Sequence, residues 1–231
     1  MAKKHNEKVE ERVEGVEQAL TKAEQFLETY QKQLIWGVSV ILGIVLLYMA
    51  FQRFYVEGRT TEAADQMFPA EQSFEREAWQ IALNGDGNNP GFIDIIDEYS
   101  FTPSARLAKY YAGMCYLHLG QYEDAIDYLS RFKSKDLIMS NLALGGIGDA
   151  YAELGDMEKA VTFYKKAANN RKNEFTTPLY LMRAGLLLEQ QRKYGEAGEL
   201  YRIIRKEYPN STEGRNISKY ITRVDVEQKH N

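Results

Sequence analysis

The sequence predicts an all-α protein: a single N-terminal transmembrane helix followed by a solenoid of helical hairpins. Three observations carry the prediction. Residues 33–52 (QLIWGVSVILGIVLLYMAFQ) hold no formal charge. The stretch LHLGQYEDAIDYL (117–129) returns, rewritten, as AELGDMEKAVTFY (152–164) and again as EQQRKYGEAGELY (189–201). Elsewhere apolar residues fall at helical spacing, and no strand signal of weight appears.

The first element is a helical tail over 1–33. Its apolar residues, Val9, Val13, Val16, Leu20, Ala23, Leu27, Tyr30 and Leu34, are separated by alternating steps of four and three. That is a heptad seam, and in a parallel pair Arg12 of one copy would face Glu17 of the other. The seam from Val9 to Leu34 therefore offers a route to a homo-oligomer. The alternative is an amphipathic helix lying on the membrane or on a partner.

A transmembrane helix is assigned to 34–55. Twenty uncharged residues in a helix span about 30 Å, the thickness of a bilayer's hydrocarbon core. Trp36 at one end and Tyr48, Phe51, Phe54 and Tyr55 at the other suit the two interfaces. No small-x-small cleavage site follows, so the segment is expected to stay as an anchor. Near the span, Lys22 and Lys32 balance Arg53 and Arg59. Lys3, Lys4, Lys8 and Arg12 then tilt the reading toward a cytosolic N-terminus.

Residues 57–103 read as a degenerate first helical hairpin. A helix runs to about Gly85 with Pro69 expected to kink or break it. The loop NGDGNNPGF (84–92) and a short helix up to Pro103 follow. The copies of the repeat fill 104–209. The segment 210–231 is expected to cap the stack through Ile217, Tyr220, Ile221 and Val224, with a frayed tail, because the end of a repeat array needs a cover.

Each copy sets small residues where two helices cross, an aromatic beside them, and a stop between the helices. In the first these are Gly113, Tyr116, Gly120, Tyr122, Ala125 and Leu129. In the second they are Gly148, Tyr151, Gly155, Met157, Ala160 and Tyr164. The third aligns as Gly185, Leu188, Arg192, Tyr194, Ala197 and Tyr201, ending at Pro209. Such a unit buries its apolar face only by stacking on neighbours. These residues resemble the tetratricopeptide repeat, with its small–aromatic–Gly–Tyr–Ala–Tyr–Pro signature. Arg192 stands where the other copies have glycine, which leaves the geometry of that turn open.

The resemblance implies a concave face, lined by the first helix of each repeat, that holds peptides or partner helices. By register the lining comprises Leu107, Tyr110, Met114 and His118, then Asp149 and Glu153, then Met182, Arg183 and Leu186. The alternative is that the preceding hairpin or the last helix covers some of these positions. The family's carboxylate clamp uses Lys and Asn where this chain has Tyr110, Met114 and Asp149, so that specialisation is not expected.

The residues argue against catalysis. No Ser/His/Asp grouping, phosphate loop or HExxH occurs, and no catalytic residue or cofactor is assigned. Cys115 is the one cysteine and there are three histidines, so no metal site is assigned. Cys115 and His118, three apart on a helix, supply two ligands at most, and packing is the favoured role. Asp86, Asn88, Gly91 and Asp97 occupy positions of a calcium loop, but Pro90, Ile93 and the short aspartate at its end favour a plain connector. With a net charge of −4 and no basic block beyond the tail, a nucleic-acid partner is not expected.

As a whole the order of tail, anchor and repeats resembles the YfgM-like ancillary SecYEG-translocon subunits, bacterial inner-membrane proteins with periplasmic repeats. This resemblance implies a non-catalytic adaptor whose protein partners are the translocon, periplasmic chaperones or exported chains. The rival expectation is a scaffold for cell-envelope assembly or division, oligomerised through the N-terminal seam.

Overall fold

The structure, a computed structural model, describes residues 29–33, 35–53 and 57–230. The chain divides into two units, at Glu57 and Gly58. In the first, α1 (Thr29–Phe51) is a helix of 23 residues, long enough at 1.5 Å per residue to cross about 30 Å of hydrocarbon. Ile41, Leu42, Ile44, Leu46 and Leu47 are all more than half exposed on it. A core helix would bury them; α1 is a candidate membrane span by length and composition. Of the heptad seam, only Tyr30 falls among the described residues; the remainder lies outside them.

The second unit is built from α2 (Glu57–Glu75), α3 (Trp79–Asn84), α4 (Phe92–Glu98), α5 (Pro103–His118), α6 (Tyr122–Arg131), α7 (Met139–Glu153), α8 (Met157–Asn170), α9 (Thr176–Gln190), α10 (Tyr194–Glu207) and α11 (Thr212–His230). No strand occurs among the described residues. Helices α5/α6, α7/α8 and α9/α10 pair as hairpins, and each hairpin packs on the next. The first helices also touch one another, α5 on α7, α7 on α9, and α9 on α11. Among the described residues α6, α8 and α10 make no such mutual contacts. The stack therefore curves with its first helices on the inside, the solenoid geometry of stacked helical repeats. Helix α11 takes the place of a further first helix and buries Ile217, Ile221 and Val224 against α9 and α10.

Side-chain caps fix where the first helices begin. Thr102 Oγ1 accepts from Ala105 N at 3.2 Å, with Pro103 in the first turn of α5. Asp136 Oδ1 accepts from Ile138 N and Met139 N at the start of α7. Asn173 Oδ1 does the same for Phe175 N and Thr176 N before α9. Each satisfies amide donors that no helical carbonyl can reach, at about 1 kcal/mol apiece.

The helix stops share one device. At Gly120 the amide bonds Leu117 O and the next amide, Gln121, bonds Tyr116 O at 2.9 Å. The pattern repeats at Gly155 with Ala152 and Tyr151, and at Arg192 with Glu189 and Leu188. It is the Schellman closure, which needs a left-handed residue at its apex. Gly120 and Gly155 have φ of 76° and 79°, and Arg192 adopts 60°. The third turn thus keeps the geometry of the others without glycine.

The same closure ends α2: Glu77 N bonds Phe74 O, Ala78 N bonds Ser73 O, and Glu77 has φ of 59°. Here the expected position of the break is corrected. Helix α2 continues through Pro69 to Glu75, and the chain turns at Glu77 instead. Proline inside a helix removes the bond to the carbonyl four residues back, here that of the exposed Asp65, where solvent meets it. Ala63, Met67 and Ala70 keep the helix docked on both sides of the proline.

Candidate protein-interaction site

The crossings that hold the inner face together depend on missing side chains. A Cβ on Gly113 would stand 2.6 Å from Leu129 Cγ, and one on Gly148 would stand 2.6 Å from Tyr164 Cδ1. Gly185 lies under Tyr201 in the same way. Ala125, Ala160 and Ala197 are fully buried on the opposing helices. Beside the crossings, Tyr116 meets Tyr128 at 5.1 Å between ring centroids and Tyr151 stacks on Phe163 at 5.4 Å. Tyr122 and Tyr194 open α6 and α10 half-buried, and Pro209 follows the end of α10.

The residues assigned to the concave face divide into several settings. Tyr110 is buried against Tyr111 and Phe132. Leu107 lines a separate cavity of about 670 Å³ with Phe132, Lys133 and Met139, between the start of α5 and the α6–α7 turn. His118 is exposed at its edge but stacks on Trp79, ring centroids 4.2 Å apart and planes within 7°. The preceding hairpin therefore covers this end of the face. Met114 and Met182 are half-buried, while Glu153 and Leu186 are exposed. Tyr122 donates its hydroxyl to Glu153 at 3.5 Å.

Asp149 and Arg183, on α7 and α9, form an ion pair with each other. Tyr164 on α8 donates to the same carboxylate at 2.6 Å, and the Arg183 guanidinium sits over Tyr180, 5.8 Å from its centroid. Burial, then the hydrogen bond to Asp149, pushes the Tyr164 hydroxyl pKa up. This node ties the second repeat to the third. One repeat later, Glu189 accepts from Tyr201 at 2.5 Å and from both Nε and Nη2 of Arg223, at 2.7 and 2.9 Å. That fork fastens α11 to α9, and bidentate guanidinium–carboxylate geometry is among the stronger polar contacts.

A second polar joint is visible only in the structure. Asn141, fully buried on α7, donates to Arg171 O at 2.7 Å and to Thr176 Oγ1 at 2.8 Å, and accepts from Asn170. It holds the α8–α9 turn in place. The polar run NNRKNEFTT (169–177) marks a turn in the sequence, but nothing there names Asn141 as its anchor.

Cys115 and His118 part company: the thiol is fully buried, its pKa pushed up to about 12 by burial, while the imidazole is at the surface. In the 84–92 loop Asp86 closes its own turn, accepting from the amides of Asn88 and Asn89 and from the Asn89 side chain. Asp97 sits on α4. Among the described residues no group of three His, Cys, Asp or Glu is placed to share a metal ion.

No curated protein matches the chain. Family models of the tetratricopeptide repeat match residues 107–136, 143–174 and 180–211, which are α5/α6, α7/α8 and α9/α10 with their flanking turns. The chain thus carries tetratricopeptide repeats, an architecture for binding other proteins.

Proposed function

We propose that the protein is a non-catalytic adaptor, anchored by α1 in the bacterial inner membrane with the repeats in the periplasm. In this reading it gathers protein partners beside the translocon, assisting export or recruiting periplasmic chaperones. The observation that carries it is the pairing, in one chain, of a long helix with exposed apolar residues and a curved stack of interaction repeats. An anchor confines the stack to a thin layer at the membrane and so raises its effective concentration toward membrane-bound partners.

The face proposed to receive them runs along α5, α7 and α9 past Met114, Glu153, Met182 and Leu186. It mixes Met114, Met182 and Leu186 with the charged Glu153, a mixture that suits amphipathic helical or extended segments of varied sequence. Asp149 and Arg183, both partly exposed, tie α7 to α9. Leu186, 41% exposed, is the position to test. A photo-crosslinking side chain there, in the full chain inserted in its native membrane, should capture translocon subunits, periplasmic chaperones or exported chains. Capture of cytosolic proteins alone would reverse the topology. Capture of a second copy alone would favour an envelope scaffold.

A further inference from the structure

The turns between repeats present apolar side chains outward, all along one edge of the stack. Leu137 and Ile138 precede α7 and are 54% and 43% exposed, and Phe175 precedes α9 at 75%. Ile138 and Phe175 each stand immediately before a first helix, and their spacing of 37 residues is that of Gly148 and Gly185, so they hold the same station in successive repeats. Because the two helices of each hairpin run antiparallel, the starts of α5, α7 and α9 lie on the edge opposite the Gly120, Gly155 and Arg192 turns. Neighbouring helices pack about 8–10 Å apart, so the stations before α7 and α9 lie about 10 Å from each other. Solvent alone gives no reason to repeat an exposed aromatic or aliphatic residue at this station.

Two independent observations say what covers the row. First, the start of α2 packs at this edge. At the start of α2, Arg59 donates to Glu98 O at 3.1 Å and lies over the Tyr99 ring, 4.8 Å from its centroid. Glu98 and Tyr99 lead into the start of α5. Second, the turns before α7 and α9 are locally cationic in an acidic chain. Lys133 and Lys135 flank Leu137 and Ile138, and Arg171 and Lys172 flank Phe175; they outnumber Asp136 and Glu174. Asp136 is moreover engaged in capping α7. Toward α11 the edge becomes mixed, with Lys206 and Arg215 beside Glu207 and Glu213.

We infer that this edge docks on the surface of an anionic lipid bilayer, with Leu137, Ile138 and Phe175 dipping into the interface and Lys133, Lys135, Arg171 and Lys172 meeting phosphate headgroups. Aromatic and aliphatic tips ringed by lysine and arginine are the chemistry of an interfacial contact. The caps from Thr102, Asp136 and Asn173 hold the turns in the presenting conformation. Docking would stand the repeats on the membrane instead of leaving them to swing on a tether. The inference rests on α1 being a membrane anchor, and the test separates the two.

The full chain, in a Cys115→Ala background, is reconstituted into vesicles of phosphatidylcholine with or without phosphatidylglycerol. An environment-sensitive fluorophore is attached at Ile138→Cys, at Phe175→Cys or, on the opposite edge, at Leu154→Cys. The expected result is quenching by nitroxide-labelled acyl chains at 138 and 175 but not at 154, stronger with the anionic lipid. Replacing Lys133 and Lys135 by Gln should lower the docked-to-undocked ratio roughly fivefold per cation removed. Protein that floats with the vesicles yet shows no quenching at 138 or 175 retains the anchor and overturns the docking. A shielded fluorophore that nitroxide lipid cannot quench means that another protein surface covers the edge, and also overturns it. Protein that does not float with the vesicles overturns the anchor and the docking together.

Discussion

Gly148 lies beneath the ring of Tyr164, so close that a methyl group there would stand 2.6 Å from Cδ1. The ring cannot swing aside freely, because its hydroxyl is bonded to Asp149 at 2.6 Å. Gly148→Ala should therefore destabilise the repeats. Overpacking costs about 1–3 kcal/mol, and the gain in helix propensity on leaving glycine, about 0.5–1 kcal/mol, offsets only part of it. Gly58→Ala, on an exposed turn of α2 with nothing near the added methyl, should show the propensity gain alone. Urea unfolding of the two variants in detergent measures the contrast. Equal stability of Gly148→Ala and the parent would show that the crossing is looser than its geometry.

Arg192 is the natural exception among the turns, and it makes the opposite prediction. A side chain in the left-handed region costs about 1–2 kcal/mol, against about 0.5–1 kcal/mol of extra chain entropy for a glycine in the unfolded state. Arg192→Gly should raise stability by about 0.5–1 kcal/mol. Arg192→Ala should not raise it, since alanine keeps the backbone penalty while removing the charge. An increase in both would assign the effect to the guanidinium and not to the turn.

The repeat register was readable because it is written in side-chain size. Glycines and alanines had to recur where helices cross, and the structure puts Gly113, Gly148 and Gly185 at those crossings. The breaks were harder to read. Pro69 reads as a kink or a break, yet its fixed φ suits a helix and its one lost bond is at an exposed residue, so the helix runs on through it, while the turn sits on Glu77, a residue with no turn preference. The face was legible as a set of positions but not as contacts. Asp149 and Arg183 share a register that places them on adjacent first helices, and only the stacking shows that they satisfy each other. Trp79 over His118 depends on how the first hairpin folds back, which local pattern does not encode.

Alkaline pH should unfold the repeats through groups that the fold keeps neutral. Burial pushes the Tyr110 hydroxyl up to about 12, and the same cause takes the Cys115 thiol to about 12. In the unfolded chain these groups ionise near 10 and 8.5 respectively. Between those values and 12 the folded state holds more protons than the unfolded one, so stability falls as pH rises. It is fully present below about pH 8, begins to fall as the unfolded thiol ionises, and falls further above about pH 10 as the phenol follows. Tyr110 is 9% exposed, and its share at full effect is about 2–3 kcal/mol. Tyr110→Phe should therefore flatten the upper part of the decline, while Cys115→Ala should flatten the lower part. Urea midpoints measured from about pH 7 to about pH 11 give both slopes, and a parent whose midpoint is constant over that range would mean that water reaches both groups in the folded state.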